Sequence, residues 1–170
     1  MLDLPDLVQT YGYDCGANAL QTVLAYYGIE TREDAIIIEA GTNEDLGTTV
    51  AGIENVLKKY DLKFDSRSMS PDDLRKYIND GIPVFLRLQA WSEYVSAHDA
   101  ALGHWVVLAG YNEKKFFFED PSTFVRSFLD EDELVQRWHA EENGKKLINL
   151  GIAAYGKKPI FNSKSVVHMD

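Results

Sequence analysis

The spacing of apolar positions changes character near residue 82. Before it, apolar residues recur at intervals of three and four, the period of a helix packed on one face. After it, they come in short runs rich in Val, Phe and Trp and bounded by turn residues, the mark of strands. Residues 4–9 (LPDLVQ) read as an extended lead-in, and TYGYDCG turns the chain. Ala19, Leu20, Val23, Leu24 and Tyr27 share one face of a helix expected to begin near Cys15, with Asp14 as its cap and Gly28 as its stop. A second, short helix is expected from Thr31, with Asp34 in capping-box position. A third follows Gly47-Thr48-Thr49, with Val50, Ile53, Val56, Leu57 and Tyr60 on one side. Ser70-Pro71-Asp72-Asp73 opens a fourth, since Pro is tolerated in a first turn, and Gly81 ends it.

Residues 83–88 (PVFLRL) and 104–111 (HWVVLAGY) predict buried strands. Asn112-Glu113-Lys114 predicts a turn, and residues 115–119 (KFFFE) the hairpin partner. A helix is expected over 130–140, with Leu134 and Trp138 turned inward, and a last strand within 147–155. Helices first and an antiparallel sheet after them describe an α+β fold, with helices packed on a sheet. No repeat, low-complexity tract or Pro/Gly/Ser-rich linker divides the chain. One domain over residues 1–165 is therefore expected, followed by a disordered tail at 166–170.

Composition narrows the function. At 170 residues the chain is long enough to bury roughly 70% of its unfolded surface, so a core needs no disulfide or metal. A formal net charge of −10 repels phosphate backbones and anionic lipid heads, which argues against nucleic-acid and membrane partners. The acidic beginning has neither the basic nor the apolar region of a signal peptide. No apolar run approaches the roughly 20 residues of a membrane span. A cytoplasmic location is the expectation. The single cysteine rules out an intramolecular disulfide and cysteine-rich zinc sites, and no histidine pair has the spacing of a zinc helix; neither a metal nor a cofactor is expected.

That cysteine is the leading candidate for chemistry. Cys15 falls at the start of a predicted helix, where free N–H groups and the helix dipole favour a thiolate, although a lone cysteine is often only a small buried hydrophobe. Asp14 would oppose the thiolate if its charge faced the sulfur. Gly16 removes a side chain beside the cysteine, so a substrate carbonyl could approach the backbone there. His104 opens an apolar strand and needs a polar partner. Asp120 follows 16 residues later, and a hairpin turning at 112–114 brings residues 119–121 back opposite His104; its alternative role is the turn residue of Asp120-Pro121. Gln9 precedes Cys15 by six residues, close enough for its amide to donate to a developing oxyanion, though most glutamines are simply exposed.

Taken in order, Gln9, Asp14-Cys15-Gly16-Ala17, Tyr26-Tyr27-Gly28, Gly47-Thr48-Thr49, His104-Trp105-Val106-Val107 and Asp120-Pro121 resemble the bacteriocin-processing peptidases. These are papain-like cysteine enzymes that cut leader peptides after a double glycine and often form the N-terminal domain of an exporter. The likeness runs from residue 9 to about 121. It implies a papain-like fold, with Cys15 as nucleophile, His104 as base, Asp120 as the acid that orients the base, and Gln9 in the oxyanion hole. It also implies a peptide or protein substrate, with small residues before the cut, and association with an exporter, although no transporter segment is present here. Where the family often has a glycine soon after the Asp-Pro pair, this chain has Ser122-Thr123-Phe124. Two other outcomes keep the same fold: a peptide-binding module without turnover, and acyl transfer to an amine.

The remaining candidates carry less. His98 reads as a loop or rim residue, His139 as the end of a helix, and His168 as part of the tail. The acidic runs at 130–133 and 141–142 read as solvated helix faces. Tyr11, Tyr13 and Trp105 are large enough to wall a narrow cleft.

Overall fold

The computed structural model describes residues 1–91 and 103–169. The order of elements is α1 (Cys15–Tyr26), α2 (Glu33–Ala40), α3 (Val50–Lys59), β1 (Lys63–Ser68), α4 (Pro71–Asn79), β2 (Val84–Gln89), β3 (Gly103–Tyr111), β4 (Lys115–Glu119), β5 (Ser127–Asp130), α5 (Glu131–Arg137), β6 (His139–Glu142), β7 (Lys145–Ile148) and β8 (Leu150–Tyr155). Six strands form one antiparallel sheet in the order β1-β8-β2-β3-β4-β5, and β6 and β7 form a separate hairpin. The expected α+β architecture is present.

The helical face of α1 meets the core as its period requires: Leu20, Val23 and Leu24 are fully buried. Each such side chain contributes about 1.5–3 kcal/mol of burial. β2 is buried along its whole length because it pairs with β3 on one side and β8 on the other. α3 and α4 start as expected, with Thr49 Oγ1 accepting the Gly52 N–H and Ser70 and Asp73 closing a reciprocal capping box.

Several expectations need correction. Asp14 makes no side-chain cap on α1; both of its oxygens accept the Tyr11 N–H, at 3.1 Å. α2 begins at Glu33 rather than Thr31, and Asp34 pairs with Arg32 instead of forming a capping box. Strands β1 and β5 were not expected. The helix expected over 130–140 stops at Arg137, because Asn143 and Gly144, at φ 51° and 74°, turn β6 into β7. Asn-Gly at paired positive φ is the commonest two-residue hairpin turn. His139 therefore lies in a strand, not at a helix end. The acidic runs are not merely solvated. Glu131 pairs with Arg75, Glu133 accepts the Asp130 N–H, and Glu142 pairs with Arg87. His98 falls outside the described residues.

Candidate active site

Cys15 is the first residue of α1 and is 9% exposed. Its Sγ accepts the Trp105 N–H of β3 at 3.5 Å. Burial, the largest single influence, pushes the thiol pKa up, while hydrogen bonding to His104 and the charge of that ring pull it down. With smaller help from the Trp105 N–H and the charge of Arg87, the net shift is downward. Asp14 is wholly buried, and burial pushes its carboxyl pKa up; its oxygens are taken up by the backbone of its own turn.

Sheet geometry brings His104 and Asp120 together. The β3–β4 ladder pairs Val107 with Glu119. Continuing that register sets Asp120 against Val106, two residues from His104 and on the same face, a diagonal neighbour within side-chain reach. His104 Nε2 donates to Asp120 Oδ1 at 2.7 Å. That leaves Nδ1 free to face the thiol, and the ring and Cys15 act on each other's charge. Asp120 is saturated with donors. Oδ1 also accepts the Ser122 N–H at 2.9 Å and the Ser122 hydroxyl at 2.7 Å, while Oδ2 accepts Trp91 Nε1–H at 3.1 Å. Serine at this position thus serves the carboxylate directly. Burial is the largest single influence and disfavours the charge on both partners, but their mutual hydrogen bond and attraction, joined by Cys15 beside His104 and by the Ser122 donors on Asp120, together outweigh it: the His104 pKa rises to about 9 and the Asp120 pKa falls to about 2.

Gln9 is tied to the same loop, since its backbone N–H donates to the Pro121 carbonyl at 2.8 Å. Its side-chain Nε2 donates to the Tyr11 carbonyl, and its Oε1 is buried without a partner among the described residues. Gln9, Cys15, His104 and Trp105 line a cleft of about 450 Å³, together with Tyr13, Glu44, Asp45, Thr48, Arg87 and Trp91. Tyr13 and Trp105 thus wall the cleft as expected, whereas Tyr11 stacks on Tyr13 from outside, with ring centroids 5.5 Å apart. An adjoining apolar groove of about 460 Å³ shares Ala90 and Trp91 with the cleft and reaches Asp120.

Gly16 has a different purpose from the one expected. A Cβ there would meet Thr48 Cβ at 2.5 Å and Trp105 Cδ1 at 2.8 Å, so the missing side chain admits these two residues rather than a substrate. Trp105 is held further by its Nε1–H, which donates to the Thr48 carbonyl at 2.7 Å. Sequence reasoning passed over Arg87, although a cation inside the apolar run PVFLRL is a signal in itself, because arginine is seldom fully buried without a partner. Among the described residues, no group of His, Cys, Asp or Glu is arranged to hold a metal ion. No helix among them is long and apolar enough to cross a membrane.

Helices on an antiparallel sheet, with the cysteine at a helix start and the histidine on a neighbouring strand, define the papain-like class, and solved structures share the fold. The peptidase domain of Streptococcus ComA, a bifunctional ABC transporter involved in a quorum-sensing pathway, superposes with a TM-score of 0.68 at 21% identity, covering 92% of this chain and 100% of that one. A double-glycine-motif protease from an AMS/PCAT transporter, solved with the leader peptide, gives 0.66 at 20%, with 93% of each chain covered. A C39-like peptidase from Bacillus anthracis gives 0.67 at 16%, covering 93% and 96%. The Peptidase C39 family model matches residues 4–141, so the chain belongs to the peptidase C39 family and is a cysteine peptidase. No curated protein sequence matches it significantly.

Proposed function

We propose that this peptidase hydrolyses a peptide bond after small residues such as Gly-Gly, with Cys15 as nucleophile, His104 as general base and acid, Asp120 as the orienting carboxylate and Gln9 in the oxyanion hole. The observation that carries this reading is the Asp120–His104 hydrogen bond set beside Cys15, with His104 and Cys15 lining the same open cleft. His104 takes the thiol proton to give a thiolate–imidazolium pair. Cys15 Sγ attacks the carbonyl carbon, and the oxyanion is met by the Gln9 amide and the Cys15 N–H. The C–N bond breaks as His104 gives its proton to the leaving amine. Water, deprotonated by His104, then cleaves the thioester and releases the acid. Two of the similar structures come from transporters, and one of these holds a leader peptide. By that likeness the substrate is a precursor peptide, the partner is an exporter, and the location is the cytoplasm. Residues 1–165 are taken to form one peptidase domain.

The test is cleavage of a peptide library by the purified chain, read by mass spectrometry, with and without an added amine. Cuts after Gly-Gly or Gly-Ala to the free acid are expected. Robust cuts after Leu, Phe or Arg, with Gly-Gly peptides untouched, would overturn the proposed specificity. Amide products in the presence of the amine would overturn hydrolysis as the outcome.

A further inference from the structure

Arg87 is an unusual residue for its position. It lies within β2, a strand buried at all six residues, and its side chain is 7% exposed. In the ladder it stands opposite Trp105, and its guanidinium sits 5.6 Å from the centroid of the Trp105 ring. Nη1 donates to Glu142 Oε2 at 2.6 Å, and Nε is buried without a partner among the described residues. Glu142 also accepts the Val50 N–H at the start of α3, at 3.1 Å. It stands on the β6–β7 hairpin, one residue beyond the span that matches the family model. Two distant segments are therefore joined beneath the cleft by a buried ion pair.

Stability does not explain such a pair, because apolar side chains of similar volume usually serve a buried site as well or better. Its position offers another reason. Trp105, under the guanidinium, presents its backbone N–H to Cys15 Sγ, and Arg87 lines the same cleft as Cys15. Among the described residues, the charged groups around the sulfur are few. His104 comes from β3, with Asp120 behind it. Asp14 precedes the cysteine. Glu33 of α2 is held by Asn18 and Thr10, and Glu44 and Asp45 lie on the cleft wall. Apart from His104, Arg87 is the one cation among the described residues that line the cleft.

We propose that Arg87 is a positioning residue for Cys15: stacked on Trp105, it steadies the N–H that meets Sγ and keeps a buried positive charge that favours the thiolate, while Glu142 sets how much of that charge the sulfur feels. The inference rests on the reading of Cys15 as nucleophile. Its test is the thiolate titration of Cys15, followed by ultraviolet absorbance and by iodoacetamide alkylation rate against pH, in the wild type, Arg87→Met, Arg87→Lys and Glu142→Gln. Met keeps much of the contact with Trp105 and removes the charge, so the titration moves up by about half a pH unit or more, while Lys stays near the wild type. Gln at 142 still accepts from Arg87 but no longer offsets its charge, so the titration moves down.

Opposite signs from the two partners separate an electrostatic role from packing damage, which would move both variants the same way. Shifts of the same sign, or no shift in either, would overturn the proposal. So would a rise in KM for Arg87→Met with the titration unchanged, which would make Arg87 a substrate contact. If Arg87→Met does not fold, Glu142→Gln decides: a downward shift supports the role, and an upward shift or none defeats it. A wild-type Cys15 that titrates like a free thiol would defeat the nucleophile reading itself. A depressed wild-type value with no change in the variants would defeat this inference alone.

Discussion

His104 and Asp120 reach the cleft from the sheet, whereas Gln9 and Cys15 reach it from a turn and a helix start, and the two halves are completed to different degrees. On the sheet side, the Asp120 carboxylate accepts four hydrogen bonds, from His104, Trp91 and twice from Ser122. On the turn side, the Gln9 amide donates to the nearby Tyr11 carbonyl, and its oxygen is buried without a partner among the described residues. Antiparallel pairing sets side-chain positions through the backbone, so the sheet half is finished before any substrate arrives. The six-residue link from Gln9 to Cys15 has no ladder to hold it. Its amide keeps a second N–H for a group that enters the cleft.

The proposed roles turn this contrast into measurements. Cys15→Ala should reduce kcat on a Gly-Gly peptide by about 10⁵-fold or more, because no covalent intermediate can form. A loss of only about tenfold, with the fold intact by circular dichroism, would remove Cys15 from the proposed role.

Asp120→Asn should cost less, about 10³-fold in kcat, since the thiol remains while the imidazole loses the negative charge that stabilises its protonated form. The amide must also turn one N–H toward a cluster of donors, so the finished half should lose its order. An activity loss equal to that of Cys15→Ala, in a folded variant, would require more of Asp120 than orientation.

Gln9→Ala should lower kcat by about 10²-fold with little change in KM, as expected for a donor that matters only as charge develops. A rise in KM at constant kcat would instead make Gln9 a binding residue, and the turn half would then be complete before the chemistry.

The smallest effect is on stability. The Asp120 pKa is about 2 in the folded chain against a usual 3.8, so its contribution is fully present above pH 3.8 and is lost as pH falls toward 2. That loss amounts to about 2 kcal/mol. Wild type and Asp120→Asn should therefore converge in stability by that amount between pH 4 and pH 2, checked by urea unfolding at each pH; parallel curves would show that the carboxylate pair adds nothing. At the alkaline end, the raised His104 pKa gives stability that is lost from about 6.5 up to about 9. The lowered Cys15 thiol acts in the opposite sense, so that limb should be shallower.

Much of the candidate site could be read from the chain because its parts obey local rules. Cys15 follows a tight turn into a periodic helix. The 16-residue interval from His104 to Asp120 spans one hairpin whose turn is marked by Asn112, and the Asn112 carboxamide accepts the N–H groups of Lys114 and Lys115. Strand β1 could not be found the same way: KFDSRS at the sheet edge has one apolar residue and is nowhere fully buried, so it shows no alternation. The β6–β7 hairpin was hidden for another reason. Its acidic and basic residues imitate an exposed helix face, and that pattern masks the turn at Asn143-Gly144.

What the sequence determined by itself was the type of most elements and the set of candidate reactive side chains, because helical period, turn chemistry and a hairpin interval act over fewer than about 20 residues. What the tertiary structure alone decided was which distant groups meet: Gly16 against Thr48 and Trp105, and Arg87 with Glu142, 55 residues apart, over the ring that adjoins Cys15. Such pairings follow from packing and ion pairing between elements, which no local periodicity along the chain records.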